Sequence, residues 1–154
     1  MATVRVQRED FDAGLEAAAL ARGRRDVGAV ASFVGYCRDE GGTLAALELE
    51  HYPGMAEAEM ARVAAEAEAR WPLIGVTAIH RFGTIAPGEQ IVFVAVASAH
   101  RGEAFAAAEM LMDYLKARAP FWKRAIRADG TVEGWVAAKE ADDASAARWG
   151  AAEP

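Results

Sequence analysis

The 154-residue sequence predicts an α+β fold in which a mixed, largely antiparallel sheet is flanked by helices. Short apolar segments bounded by glycine or proline are typical of strands, and longer segments whose apolar residues recur every three or four positions are typical of helices. The two kinds do not alternate regularly, which disfavours a parallel sheet built from strand–helix–strand units. Because no internal repeat or long linker interrupts the chain, we predict a single domain over residues 1–154.

Four helices are predicted from apolar periodicity and from the residues that end them. They cover residues 10–23, 55–71, 101–118 and 141–149. Gly23 and Pro72 are suitable stops for the first two, because glycine accepts left-handed backbone angles and proline cannot continue a helix. The second helix places Met60, Val63, Ala64 and Ala67 on one stripe, and the third is expected to turn Ala104, Phe105, Ala108, Leu111, Met112 and Leu115 inward.

Six strands are predicted between and after these helices. They cover residues 28–35, 43–50, 73–83, 89–97, 121–126 and 131–138. The third and fourth flank the turn-forming triplet "APG" and are expected to pair as antiparallel neighbours. The fifth follows Pro120, which disfavours helical angles at Ala119 and so ends the third helix there. Between the first two strands, "YCRDEGG" is a polar loop whose paired glycines permit unusual backbone angles.

Composition restricts the function classes. The one cysteine, Cys37, excludes an internal disulfide and a cysteine-rich zinc site, which suits a reducing compartment. The first residues lack the apolar core of a signal peptide, and the apolar run over residues 91–99 is too short to span a bilayer. We therefore expect a soluble, cytoplasmic protein. No metal-binding, Walker or dinucleotide motif occurs, so no metal or cofactor is predicted.

The charge distribution argues for a small anionic ligand. A net charge of −6 disfavours a general nucleic-acid binder, which needs a basic face to neutralise phosphates. From His100 to Arg127, however, six basic residues outnumber three acidic ones, giving a local charge of +3. A positive pocket on an acidic body would attract a small anion or an acidic protein tail.

Lysine is rare in this chain, with three residues against fourteen arginines, and two of the three lie on either side of Pro120. Helical spacing from Phe105 and Met112 puts the stem of Lys116 at the border of the apolar stripe. Burial and neighbouring cations would disfavour its protonated form, and an amine that loses its proton can act as acid, base or nucleophile, whereas arginine cannot. The alternative is a charged lysine that favours the helix dipole and reaches water.

Three further cations are candidates for binding an anion. In "VASAHRGEAF" a strand runs into a helix, with Ser98 as a possible N-cap, and free backbone N–H groups there would face a phosphate or carboxylate beside His100 and Arg101. A surface arginine and a local histidine cap explain the same residues equally well. Arg38 is a third candidate, although an ordinary loop charge is the simpler interpretation. His51 and His80 are interpreted as structural or surface histidines.

The sequence resembles the MoaE family, the large catalytic subunits of molybdopterin synthase. The resemblance is carried by "LELEHYPGM", "RWPLIGVTAIHRFG", "PGEQIVFVAVASAHR", "AFAAAEMLMDYLKARAPFWKR" and "WVAAKEADDASAARW", in family order. It covers about residues 28–149 and leaves residues 150–154 as a loose tail. It implies an α/β hammerhead-type fold, a central homodimer, and a small ubiquitin-like sulfur-carrier subunit, similar to MoaD, bound at each end.

The resemblance also implies a reaction and its residues. The carrier's C-terminal Gly-Gly thiocarboxylate would enter a pocket and pass sulfur to cyclic pyranopterin monophosphate, forming the dithiolene of molybdopterin. Lys116 would be the central catalytic lysine and Lys123 its companion. The remaining implied site residues are His100, Arg101 and Arg38 around the substrate phosphate or carrier tail, Phe33 and Met112 in the pocket lining, and Lys139 reaching over from a partner protomer.

One departure from the family leaves a second hypothesis open. Family members often carry glutamate directly after the "WKR" segment, where this chain has Ala125. A non-catalytic module that binds a ubiquitin-like C-terminal tail is therefore the main alternative to an enzyme. Another acyl or phosphoryl transferase that uses the same pocket without a carrier is a third hypothesis.

Overall fold

The computed structural model describes residues 2–136 and 140–150. Its strands are β1 (Ala2–Gln7), β2 (Ala29–Tyr36), β3 (Leu44–His51), β4 (Leu73–Arg81), β5 (Gly83–Ile85), β6 (Gln90–Ser98) and β7 (Phe121–Arg127). Its helices are α1 (Ala13–Ala19), α2 (Met55–Arg70), α3 (Arg101–Arg118) and α4 (Glu140–Gly150), with a 3-10 turn at Glu40–Gly42. Within these residues, no helix combines the length and the apolar character needed to cross a membrane.

The strands form two sheets, which confirms the α+β class and the largely antiparallel pairing. The larger sheet has the order β1-β4-β6-β2, and only its β1–β4 pair is parallel. The smaller sheet has the order β5-β3-β7 and is antiparallel throughout. The expectation of one sheet is wrong because the predicted strand 73–83 divides after Arg81: β4 stays in the larger sheet and β5 joins the smaller one. Strand β1 was not predicted.

The main core lies between the larger sheet and helices α2 and α3. The predicted stripe of α2 is buried, as are Ala104, Ala108, Leu111 and Leu115 of α3. Phe105 is 65% exposed, so its predicted inward orientation is wrong. The buried face of α3 is completed instead by Ala107, Met110 and Tyr114. Phe105, Met112 and Lys116 therefore follow a neighbouring, more accessible stripe of the same helix.

Two other predicted elements differ in extent. Helix α1 begins only after Asp12, whose carboxylate accepts a hydrogen bond from Leu15 N at 3.0 Å. The predicted strand 131–138 is not continuous within the described residues: it meets β7 in two isolated bridges, Val132 to Ile126 and Val136 to Lys123. Val132 and Val136 are four residues apart, whereas Lys123 and Ile126 are three apart, so regular hydrogen-bond pairing is interrupted between the two bridges. Residues 137 and 138 lie outside the described part of the chain.

Gly28 holds the start of β2 against the turn that leads into α3. Its N–H donates to the Ser98 carbonyl at 2.9 Å, and a Cβ placed on it would lie 2.0 Å from the Ala99 carbonyl oxygen. Because that neighbour is backbone, Gly28→Ala is expected to lower the free energy of unfolding by about 1–3 kcal/mol or more. The free energy of unfolding of each variant is measured by urea denaturation. Gly14→Ala, whose Cβ would meet only ordinary contacts, should leave stability unchanged or slightly raised; equal loss in both variants would contradict the prediction.

Candidate functional site

A cavity of about 150 Å³ lies where the two sheets meet the C-terminal end of α3. Its lining residues are Phe33, Gly35, Tyr36, Leu47, Leu49, His80, Ile91, Val92, Met112, Leu115, Lys116, Ala119, Phe121, Trp122, Lys123 and Val136. Lys116 and Lys123 are the charged side chains of this lining, and none of its described residues is a carboxylate. The cavity is thus an apolar crevice that carries two amines.

The packing of Gly35 shapes one wall of this cavity. Gly35, Val92 and His80 lie side by side on β2, β6 and β4. A Cβ on Gly35 would lie 2.7 Å from Val92 Cγ1 and 3.3 Å from the Phe33 ring. The absence of a side chain at residue 35 therefore lets Phe33 lie close against the sheet at the cavity wall.

Four of the predicted site residues come together in this cavity. Phe33 comes from β2, Met112 and Lys116 from α3, and Lys123 from β7. The chain break at Pro120 is what brings the two lysines to one place, because β7 turns back beside the end of α3. Lys116 lines the cavity next to Met112 and Leu115, as the helical spacing indicated. It is exposed in the isolated chain, however, so the expected burial is not observed.

Neighbouring arginines contribute less positive charge to the cavity than the sequence suggested. Arg118 pairs with Glu66 at 3.1 Å and lies over the Tyr114 ring at 3.9 Å. Arg124 pairs with Glu48 at 2.5 Å, directly opposite it in the β3–β7 register. Arg127 similarly pairs with Glu133 at 2.9 Å. These three carboxylates lie outside residues 100–127, the segment with a charge of +3. They largely balance its positive charge in the folded chain.

His100 and Arg101 lie at the opposite end of α3 from the lysines. Arg101 begins the helix and Lys116 is in its last turn, a separation of about 22 Å along the axis at 1.5 Å per residue. The prediction that Ser98 caps the helix is wrong: His100 is the N-cap residue, without a side-chain hydrogen bond, and Ser98 Oγ donates to the His100 carbonyl at 2.5 Å. A single chain therefore does not bring His100 and Arg101 to the cavity.

The other two predicted cations are placed as follows. Arg38 is exposed and follows Cys37 just beyond Tyr36, the last cavity-lining residue of β2. The paired glycines of its loop have φ values of 80° and 74°, as expected for a loop of unusual backbone angles. Lys139 lies outside the described residues, as do residues 151–154 of the predicted tail; Gly150 ends α4.

Cys37 has the environment of an inert thiol. The residue is 2% exposed, and its Sγ lies 3.8 Å from the Ile85 carbonyl oxygen. Burial raises the pKa of the Cys37 thiol, which opposes formation of a reactive thiolate. The Cys37 thiol is therefore poorly suited to act as a nucleophile.

His80 is a cavity residue that the sequence patterns did not identify. Its Nδ1 lies 2.8 Å from the Arg81 carbonyl oxygen, and its ring stacks on Phe121 at a centroid distance of 3.7 Å. Burial lowers the pKa of His80 to about 4, and the positive charge of Lys116 adds to the effect. The ring is therefore neutral at pH 7. The available signal was a histidine near the end of a largely apolar strand.

Comparison with known proteins gives consistent matches. Residues 6–118 match the family described as MoaE protein. A curated protein of Mesorhizobium japonicum named molybdopterin synthase catalytic subunit is 67% identical over 147 residues, which cover 96% of this chain and 92% of that protein. The molybdopterin biosynthesis MoaE protein from Burkholderia ambifaria MC40-6 superposes with a TM-score of 0.84 at 51% identity, covering 97% of this chain and 99% of that one.

A more distantly related solved structure has a similar fold. Molybdopterin synthase from Staphylococcus aureus has a TM-score of 0.75 at 30% identity, covering 84% of this chain and 95% of that chain. Residues 6–118, which match the family model, include strands β2 to β6 and helix α3. The chain belongs to the MoaE protein family, whose curated relatives here carry the name molybdopterin synthase catalytic subunit.

Proposed function

We propose that this chain is the catalytic subunit of a molybdopterin synthase. In the proposed reaction it transfers sulfur from the C-terminal thiocarboxylate of a small ubiquitin-like, MoaD-like carrier to cyclic pyranopterin monophosphate, and two transfers give the dithiolene of molybdopterin. The observation that carries the proposal is the convergence of Lys116 and Lys123 on one apolar cavity whose described lining contains no carboxylate. The curated name of the relatives supports the same activity.

The cavity suits the end of a carrier tail. Terminal glycines have no side chains, so an extended Gly-Gly end fits a narrow crevice walled by Phe33, Leu49 and Met112. The thiocarboxylate is an anion, and the ammonium groups of Lys116 and Lys123 provide its counter-charge. Because the carrier delivers the sulfur, the buried Cys37 is not required for the reaction.

In this proposal the lysines stabilise charge and move protons during transfer. The thiocarboxylate sulfur bonds to a pterin carbon as a carbon–oxygen bond there breaks, and water then cleaves the acyl–sulfur bond, so that the carrier leaves as a carboxylate. A fixed cation in an apolar setting strongly stabilises the negative charge that develops on the leaving oxygen and on the acyl oxygen. Lys116, at the rim between cavity and solvent, is placed to exchange protons with the reacting groups. Lys123 lies opposite Leu49 in the β3–β7 register, so a regular sheet holds its backbone.

The position of His100 and Arg101 calls for a second protomer. Since about 22 Å of helix separates Arg101 from Lys116, one chain alone does not present both to a single pterin phosphate. We propose a homodimer in which His100 and Arg101 of one protomer approach the lysines of the other. Arg38 and Lys139 are further candidates for contacts to the substrate phosphate or carrier tail, and the proposed location is the cytoplasm.

Reconstitution tests the proposed function. The purified chain is incubated with a thiocarboxylated carrier and cyclic pyranopterin monophosphate, and the pterin product is followed by mass spectrometry. We expect two sulfur atoms to be incorporated, and none when the carrier ends in an ordinary carboxylate. Carrier binding without product would favour the non-catalytic module, for which Ala125 is the argument. Activity on other acyl or phosphoryl donors without a carrier would favour the third hypothesis.

A further inference from the structure

The hydrogen-bonding state of His80 follows from its neighbours. The Arg81 carbonyl oxygen can only accept, so the His80 Nδ1 at 2.8 Å must carry the proton. In a neutral imidazole the other nitrogen, Nε2, is then an acceptor. No described residue forms a hydrogen bond with Nε2. Nε2 is also not one of the fully buried side-chain atoms that lack a partner, so it is at least partly accessible. Nε2 therefore keeps access to the cavity that His80 lines.

Aromatic packing holds this ring in place. His80 and Phe121 are nearly parallel, with an interplanar angle of 14°. The Phe121 ring also stacks with His51, at a centroid distance of 5.9 Å, and the His51 ring contacts Phe82 at a centroid distance of 4.5 Å. His51 belongs to the same stack but does not line the cavity. The stack thus presents one histidine nitrogen to the site and leaves the second histidine outside it.

The electrostatic setting keeps this acceptor uncharged. Desolvation and the positive charge of Lys116 lower the pKa of His80 to about 4, and His51 contributes in the same direction. Lys116 is thus close enough to influence the ring. A neutral acceptor differs from a carboxylate in that it directs an ammonium group without neutralising its charge.

We propose that His80 is a positioning residue for Lys116: when a peptide end covers the cavity, Nε2 of the neutral imidazole accepts a hydrogen bond from the Lys116 amine and directs it toward the reacting atoms. The proposal rests on the proposed function. Its physical basis is that Lys116, exposed in the chain alone, loses water when the carrier tail enters. The described lining offers no carboxylate to replace that water, whereas Nε2 is available.

The tautomer can be tested without any activity measurement. The chain has three histidines, His51, His80 and His100, so a protein labelled with nitrogen-15 histidine gives three sets of imidazole signals. Each set is assigned by the loss of signals in the corresponding substitution. At pH 7 we expect His80 to be protonated on Nδ1 alone. A proton on Nε2, in either the other neutral form or the imidazolium, would overturn the proposal.

Substitutions test whether the acceptor matters for turnover. His80→Phe keeps the stack on Phe121 and removes Nε2, so kcat should fall by about 10- to 100-fold, because misdirecting a catalytic group by about 1 Å has effects of this size. The KM values for carrier and pterin should stay within about twofold. His80→Gln, whose side-chain carbonyl reaches the place of Nε2, should recover much of the loss. His80→Asn, which can reach the Arg81 carbonyl but not the Nε2 position, should not.

The matched control is His51→Phe, which changes the other histidine of the stack and should leave kcat within about twofold of the wild-type value. Thermal unfolding of each variant checks the fold, and the Gln and Asn variants still decide the question if His80→Phe does not fold. Wild-type kcat in His80→Phe, or a Gln variant no better than Asn, would refute the proposal. Failure of the proposed function is distinguishable, because the wild-type chain itself would then make no product.

Discussion

Lys116→Ala is expected to lower the rate of sulfur transfer by about 10²- to 10⁴-fold, the range that a positioned acid or base contributes. The residue is exposed in the chain alone and its side chain is not part of the core, so stability should change little. Carrier binding should also persist, because the apolar wall of the cavity and Lys123 remain. Single-turnover measurement of dithiolene formation, with carrier affinity measured separately, gives both quantities.

Two substitutions sharpen this prediction. Arg118→Ala removes a cation from the same helix end, but one that pairs with Glu66 and does not line the cavity; its rate should stay close to that of the wild type. Lys116→Arg keeps the charge but cannot lose its proton at neutral pH. A low rate in Lys116→Arg would indicate proton transfer, and a high one would indicate charge stabilisation. Wild-type turnover by Lys116→Ala would remove this lysine from the catalytic assignment.

Mixing two inactive variants should restore activity if the site is shared between protomers. Lys116→Ala and Arg101→Ala homodimers are each expected to be nearly inactive. In a mixed dimer, one of the two sites would combine the intact Lys116 of one chain with the intact Arg101 of the other. Random assortment into twofold-symmetric dimers then gives about a quarter of wild-type activity. The measurement is the reaction rate after the two variants are unfolded and refolded together.

The control for this experiment uses two residues of one cavity. Lys116 and Lys123 line the same cavity within a single chain, so mixing Lys116→Ala with Lys123→Ala leaves every site with one defect and should restore nothing. Equal recovery in both mixtures would point to an unrelated effect of refolding. No recovery in the first mixture, with mixed dimers demonstrated by mass, would place Arg101 and Lys116 outside a shared site.

Much of the cavity could be inferred from local patterns. Apolar spacing located α3 and its end, and Pro120 predicted the turn into β7, so the two lysines were expected near one chain break. The resemblance to MoaE proteins added Phe33 and Met112, which lie in the same cavity. His80 was not predicted, because its contact with the cavity depends on the pairing of β4 with β6 and on the later strand that supplies Phe121.

Charge was the least predictable property. Counting residues along the chain suggested an excess of positive charge near the lysines, but Glu48 and Glu66 come from distant segments and pair with Arg124 and Arg118. His100 and Arg101 belong to the same basic segment of the sequence as the two lysines. In the fold they lie at the opposite end of the 18-residue helix α3 from Lys116.

The order of residues was therefore enough to establish the α+β class, the bounds of α3 and the placement of two lysines on either side of a chain break at Pro120, because these depend on interactions between residues a few positions apart. The division into two sheets, the cavity at their junction, the balanced arginines and the neutral His80 arose only in the folded chain. Each of them depends on contacts between segments separated by tens of residues, which local periodicity does not encode.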